Sequence, residues 1–100
     1  MSDAITLCRY WVKPGRETEF EALLEKHWPT FQGLGLVSDA VPHLLFRGRD
    51  DDGNVFYVET FPWKDTASMN KAHGMAEVAA LWEPMGDCCT KMEFPTVDRL

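Results

Sequence analysis

His73 precedes Gly74, where a helical pattern is expected to break. An imidazole at such a place can take a proton from a weakly acidic hydroxyl, because its proton affinity is easily tuned across neutrality. The same side chain could instead bond a free carbonyl at the helix end. Arg9 and Tyr10 interrupt an otherwise apolar segment, so whichever of them points toward the helices is a polar liner for a small-molecule pocket. Tyr57 and Asn70 are further donors, and Trp63 and Trp82 are candidate walls. An unpaired guanidinium is expensive to bury, which makes Glu59, on the neighbouring strand, the expected partner of Arg9.

Other reactive residues read as structural. Cys8, Cys88 and Cys89 are odd in number and lack a framework spacing, as expected of reduced thiols in a cytoplasmic protein. Neighbouring strand residues point to opposite faces, so Cys88 and Cys89 do not readily share a metal, and no metal site is expected. Asp50-Asp51-Asp52-Gly53-Asn54 lacks the ligand alternation and distal glutamate of a calcium loop and reads as a tight turn. His27 lies on an apolar stripe near Pro29, where it is expected to serve the helix end. His43 follows Pro42, either lining the pocket mouth or facing water.

One hundred residues make a single domain, 1–100, with its core over about 4–95. The net charge of -6 and scattered Lys and Arg speak against nucleic acid and against an anionic membrane surface. No apolar run approaches the roughly 18 residues of a membrane span.

The elements that must position these groups follow from periodicity. Ile5 to Val12 is apolar with little interruption, the pattern of a strand buried on both faces. Phe20, Leu23, Leu24, His27, Trp28 and Phe31 lay one stripe along a helix expected from Arg16 to a stop near Pro29. Gln32 to Val41 reads as a loop with a short strand. His43 to Arg49 and Val55 to Phe61 form a hairpin. Asp65 is the expected cap of a second helical region that breaks at Gly74, resumes at Met75 and closes at Pro84 and Gly86. Cys88 to Phe94 is the last strand, with Cys88, Thr90, Met92 and Phe94 on one face.

This order gives an α+β fold, the ferredoxin-like βαββαβ arrangement with a four-stranded antiparallel sheet. Two helices cover only one face of such a sheet, yet both faces of the first and third strands are apolar. Leaving large side chains uncovered would forgo roughly 1.5–3 kcal/mol each. A homodimer through the sheet faces, closing an eight-stranded α/β barrel, is therefore expected.

The chain resembles the dimeric α/β-barrel superfamily, and within it the antibiotic biosynthesis monooxygenase-like family. The residues that carry the likeness are the first strand running into Lys13-Pro14-Gly15 and Phe20, Glu59-Thr60-Phe61 before Trp63-Lys64-Asp65, and Ala72-His73 through Val78, Leu81 and Trp82. The resemblance implies a pocket between helices and sheet, used in relatives for cofactor-free oxidation of polycyclic quinols or for haem degradation. Trp63 and His73 are ten apart, as in haem-degrading relatives. However, Trp63 matches the family's tryptophan before the helix, not the one inside it, and Cys8 or Thr6 stands where a first-strand Asn would be. The resemblance thus implies a monooxygenase without a cofactor, acting on an aromatic or quinol-like metabolite, with His73 as base. Haem is the less favoured alternative, and a non-catalytic small-molecule binder or stress-associated dimer is the rival reading.

Overall fold

The computed structural model describes residues 5–39, 41–98 and 100; the expected start of the core at residue 4 lies outside them. The elements are β1 (Ile5–Val12), α1 (Glu17–Gly33), β2 (Leu44–Arg49), β3 (Val55–Pro62), α2 (Thr66–Ala72), α3 (Ala76–Asp87), β4 (Cys89–Glu93) and β5 (Thr96–Val97). Strands β2-β3-β1-β4 form an antiparallel sheet, and the short β5 pairs with the start of β1. This is the expected ferredoxin-like α+β architecture, with its second helix in two pieces.

Alternation along the strands sorts residues between two faces. Thr6, Cys8, Tyr10 and Val12 of β1, with Tyr57, Glu59 and Phe61 of β3, lie buried beneath the helices. Phe20, Leu24, His27 and Phe31 of α1 and Val78, Leu81 and Met85 of α3 are buried against them. The opposite face carries Leu7, Arg9 and Trp11 beside Phe56, Val58 and Phe46.

Two boundaries differ from the sequence reading. Helix α1 does not stop at Pro29 but runs through it to Gly33. Proline removes one backbone donor at a cost of about 3 kcal/mol, but Pro29 is exposed, and continuing the helix buries Phe31 completely. The real stop is Gly35, at φ +69, where the Leu36 N–H bonds the Phe31 carbonyl and the Gly35 N–H bonds that of Gln32. These paired bonds satisfy the last carbonyls, and buried Leu36 packs behind them. Helix α3 likewise passes Pro84 and ends on Cys88, whose N–H bonds the Pro84 and Met85 carbonyls. Cys88 is therefore a buried helix cap and not the first residue of the last strand.

The remaining punctuation follows the sequence. Asp65 caps α2 by accepting from the Ser68 N–H at 2.7 Å. In the β2–β3 turn, Asp50 accepts from the Asp52 and Asn54 N–H groups while Gly53 takes φ +82, so the Asp50 carboxylate serves a backbone reversal.

Candidate active site

A cavity of about 250 Å³ opens between the helices and the sheet. Its floor is the inward row of β1, Thr6, Cys8 and Tyr10, with Phe61 and Trp63 from β3 and the residue beyond it. Its walls are His27 of α1, Met69 of α2, Trp82 and Met85 of α3, and Met92 and Phe94 around the end of β4. His73, the C-cap of α2, stands exposed at its edge with its ring 5.1 Å from that of Trp82. The lining is apolar apart from a few placed groups, the usual composition of a small-molecule site.

Most of those polar groups are already paired within the protein. Trp63 Nε1 donates to Thr6 Oγ1 at 2.7 Å, which fixes the indole as a wall. The Tyr10 hydroxyl donates to Glu59 Oε1 at 2.9 Å. Glu59 Oε2 takes His27 Nδ1 at 3.0 Å and His43 Nε2 at 2.8 Å, and Trp82 Nε1 lies 3.0 Å from His27 Nε2. An indole N–H can only donate, so His27 Nε2 must present its lone pair and His27 must be the neutral Nδ1–H tautomer, giving its proton to Glu59. The buried chain thus runs Trp82 to His27 to Glu59, with Tyr10 and His43 as the other donors.

Glu59 has no exposed surface. Burial pushes its carboxyl up, but the hydrogen bonds from His27 and His43, the charge His27 carries when protonated, and the hydrogen bond from Tyr10 outweigh burial and hold it down to about 2. It is therefore an anion at neutral pH. Burial, followed by the charges of Cys8 and Glu59, pushes the Tyr10 phenol well above its ordinary value. Burial likewise raises the Cys8 thiol, with the Glu59 charge adding to it, so Cys8 in the cavity floor is a neutral thiol and not a nucleophile.

Two imidazoles and one carboxylate converge here, a ligand composition that suits iron or zinc. The Trp82 contact argues for the other use: it leaves a proton, not a lone pair, on the His27 nitrogen that faces Glu59. No group of three metal-ligating side chains is arranged to hold an ion among the described residues. Trp63 lies before α2 with its N–H committed to Thr6.

Of the residues singled out in the sequence, Tyr10, Trp63, His73 and Trp82 meet at the cavity. Arg9 does not. Its register opposite Val58 and Glu93 places it on the far face of the sheet, where it pairs with Glu93 at 3.6 Å and stacks over Trp11, so Glu59 is the partner of Tyr10 instead. Tyr57 faces the helices but lies away from the cavity, with its hydroxyl donating to Glu21 Oε2 at 2.7 Å. Asn70 is exposed and outside the cavity lining. His27 bonds Glu59 and Trp82 rather than helix-end carbonyls, and His43 stacks on Trp28 with ring centres 4.5 Å apart. Thr6, Cys8, His27, Phe61, Met69, Met85, Met92 and Phe94 complete the lining and were not expected there, since most are apolar, and apolar residues on a strand or helix carry no mark that separates cavity wall from core.

No protein-family model matches the chain and no curated protein matches it in sequence. Its fold is nevertheless shared with solved structures. An antibiotic biosynthesis monooxygenase superposes with TM-score 0.70 at 14% identity, covering 96% of this chain and 97% of its own. SnoaB, a cofactor-independent oxygenase from Streptomyces nogalater, gives 0.67 at 19% identity, with 98% and 96% covered. A Bordetella bronchiseptica protein provisionally assigned to the antibiotic biosynthesis monooxygenases gives 0.75 at 18%, with 100% and 99% covered. The chain therefore has the ferredoxin-like fold of the antibiotic biosynthesis monooxygenases over essentially its whole length, as the sequence resemblance led us to expect. Among the described residues, no helix is long and apolar enough to cross a membrane.

Proposed function

We propose that this protein is a cofactor-independent monooxygenase of the cytoplasm that acts on a small aromatic or quinol-like metabolite bound in the cavity, with His73 as the base. The observation that carries the reading is the contrast inside the cavity. Thr6, Tyr10, His27, Trp63 and Trp82 are bonded to one another or to Glu59, whereas the His73 imidazole makes no hydrogen bond among the described residues and stands at the cavity edge. The fold shared with SnoaB, described as a cofactor-independent oxygenase, supports the same reading.

The chemistry asks little of the protein. His73 takes the proton of a phenolic hydroxyl, and the apolar walls leave the phenolate poorly solvated and electron-rich. The phenolate passes one electron to dioxygen, and the resulting aryloxyl radical and superoxide combine at a ring carbon to form a C–O bond. His73 returns the phenolic proton to the terminal peroxide oxygen and then takes that carbon's hydrogen as a proton while the O–O bond breaks. One oxygen stays on the ring as a carbonyl and the other leaves as hydroxide, which His73 protonates to water.

A second copy of the chain is the proposed cover of the open sheet face. Leu44 and Phe46 of β2 are 44% and 57% exposed there, beside the half-buried Trp11, Phe56 and Val58. Arg9, Lys91 and Glu93 cross the same face as a charged band that would have to pair within or across the interface.

Aerobic incubation with a panel of polycyclic quinols, naphthols and haem tests the enzyme reading. Oxygen uptake with an aromatic hydroxyl compound, yielding the quinone and water, is the expected result. Tight binding of the same compounds without uptake would assign the protein to the non-catalytic binders, and consumption of haem would replace the quinol reading.

A further inference from the structure

Glu59, His27 and Trp82 form a buried line of hydrogen bonds that the proposed chemistry does not use. We infer that Glu59 and His27 are positioning residues, which hold the Trp82 indole with its N–H turned into the protein and so set the surface on which His73 and the ligand rest. The inference rests on the reading of His73 as the base, but its structural half can be tested without turnover.

The argument starts from donor and acceptor count. Trp82 is half-buried in the cavity wall, and His73 packs against its ring. Left to itself, an indole N–H in that wall would seek a partner, and a ligand oxygen would be one. His27 Nε2 removes the choice by accepting it at 3.0 Å. His27 in turn is locked, because its other nitrogen lies 3.0 Å from an ionised carboxylate that can only accept. The carboxylate is held by two more donors, Tyr10 and His43, so the polarity of the whole line is set from Glu59 outward. A bound aromatic therefore meets the apolar π-face of Trp82 and, at the cavity edge, the His73 imidazole, which makes no hydrogen bond among the described residues. Such a wall favours a planar ligand with one ionisable hydroxyl placed at the cavity edge, and offers no donor at Trp82 to a carbonyl.

Nitrogen NMR of the full-length protein at neutral pH reads the line directly. His27 is expected as the neutral Nδ1–H tautomer, with the Trp82 indole proton shifted downfield and protected from exchange. A protonated or Nε2–H His27, or a freely exchanging Trp82 indole proton, would overturn the inference. So would loss of that resonance on titration with Zn(II) or Fe(II), since a metal needs the His27 lone pair on the Glu59 side. These readouts stand even if no quinol is oxidised.

With an oxidised substrate in hand, His27→Leu is expected to lower kcat at least tenfold and to change KM less. His27→Gln restores kcat to within about threefold, because its amide can donate to Glu59 and accept from Trp82 at once. If His27→Leu fails to fold, Trp82→Phe keeps a ring in the wall while removing only the donor, and the same split between kcat and KM is expected. Unchanged kcat in folded His27→Leu, or in Trp82→Phe, would reduce the line to a purely structural one.

Discussion

His43 Nε2 lies 2.8 Å from Glu59 Oε2, so a carboxylate with no exposed surface is tied to an imidazole that is 15% exposed. His27 spends its second nitrogen on Trp82 and so reaches Glu59 through Nδ1 alone. The anion is thus held by directed donors, and every buried side-chain polar atom has a partner among the described residues.

Replacing Glu59 therefore does more than remove one contact. Glu59→Leu strips the acceptor from Tyr10, His27 and His43 together, and its expected cost is about 3–5 kcal/mol in urea unfolding. Tyr10→Phe removes one donor to a charged acceptor and leaves two, so about 2 kcal/mol is expected. Equal effects of the two substitutions would show that Glu59 is not the hub.

Stability should also depend on acid in a defined direction. The Glu59 carboxyl is held down to about 2 in the folded protein, against 4.5 as its ordinary value. Between those values the unfolded chain binds the extra proton, so stability rises with pH there. The contribution is full above pH 4.5 and is lost as pH falls from 4.5 toward 2. Denaturant midpoints measured across that range should slope for the wild type and lose most of that slope for Glu59→Gln. Parallel curves for the two proteins would contradict the depressed value.

The parts of this site legible in the sequence are those that local pattern decides. Asp65 before Thr66 announces a cap, and the Phe20 to Phe31 stripe announces which face of α1 is buried, including His27. The partner of His27 is a long-range matter: nothing near residue 27 indicates that residue 59 lies 3.0 Å away. The phase of β3 was equally hidden, because Phe56 and Val58 are as apolar as Tyr57 and Phe61, and either set could have faced the helices. Register settled it, putting Glu59 inside with Tyr10 and sending Arg9 outside to Glu93. Helix α1 overran its expected stop because the capping bonds at Gly35 and the burial of Phe31 and Leu36 outweigh the donor that Pro29 lacks.

The open face of the sheet gives a prediction on assembly. Phe46 is 57% exposed on the edge strand β2, opposite Val58, on the face a second copy is proposed to cover. Sedimentation at micromolar concentration should give about twice the 11.4 kDa chain mass. Phe46→Glu places a charge on that apolar face and is expected to shift the protein to a monomer with little change in secondary structure. A wild-type monomer would remove the proposed barrel, and a dimer that survives Phe46→Glu would place its interface elsewhere.

His73 offers the sharpest separation between base and bystander. Its ring touches Trp82 and makes no hydrogen bond among the described residues, and its exposed position predicts a stability change within about 0.5 kcal/mol for His73→Ala. As a general base it contributes about 10²–10⁴-fold, so quinol-dependent oxygen uptake should fall by at least a hundredfold while ligand binding, read by tryptophan fluorescence, persists. Arg9→Ala and Asn70→Ala serve as controls, because Arg9 lies across the sheet and Asn70 outside the cavity. Both should retain wild-type turnover. Uptake unchanged in His73→Ala would leave the cavity without an unpaired base, and the ionisation of the substrate would then have to come from solvent or from the buried line through Tyr10.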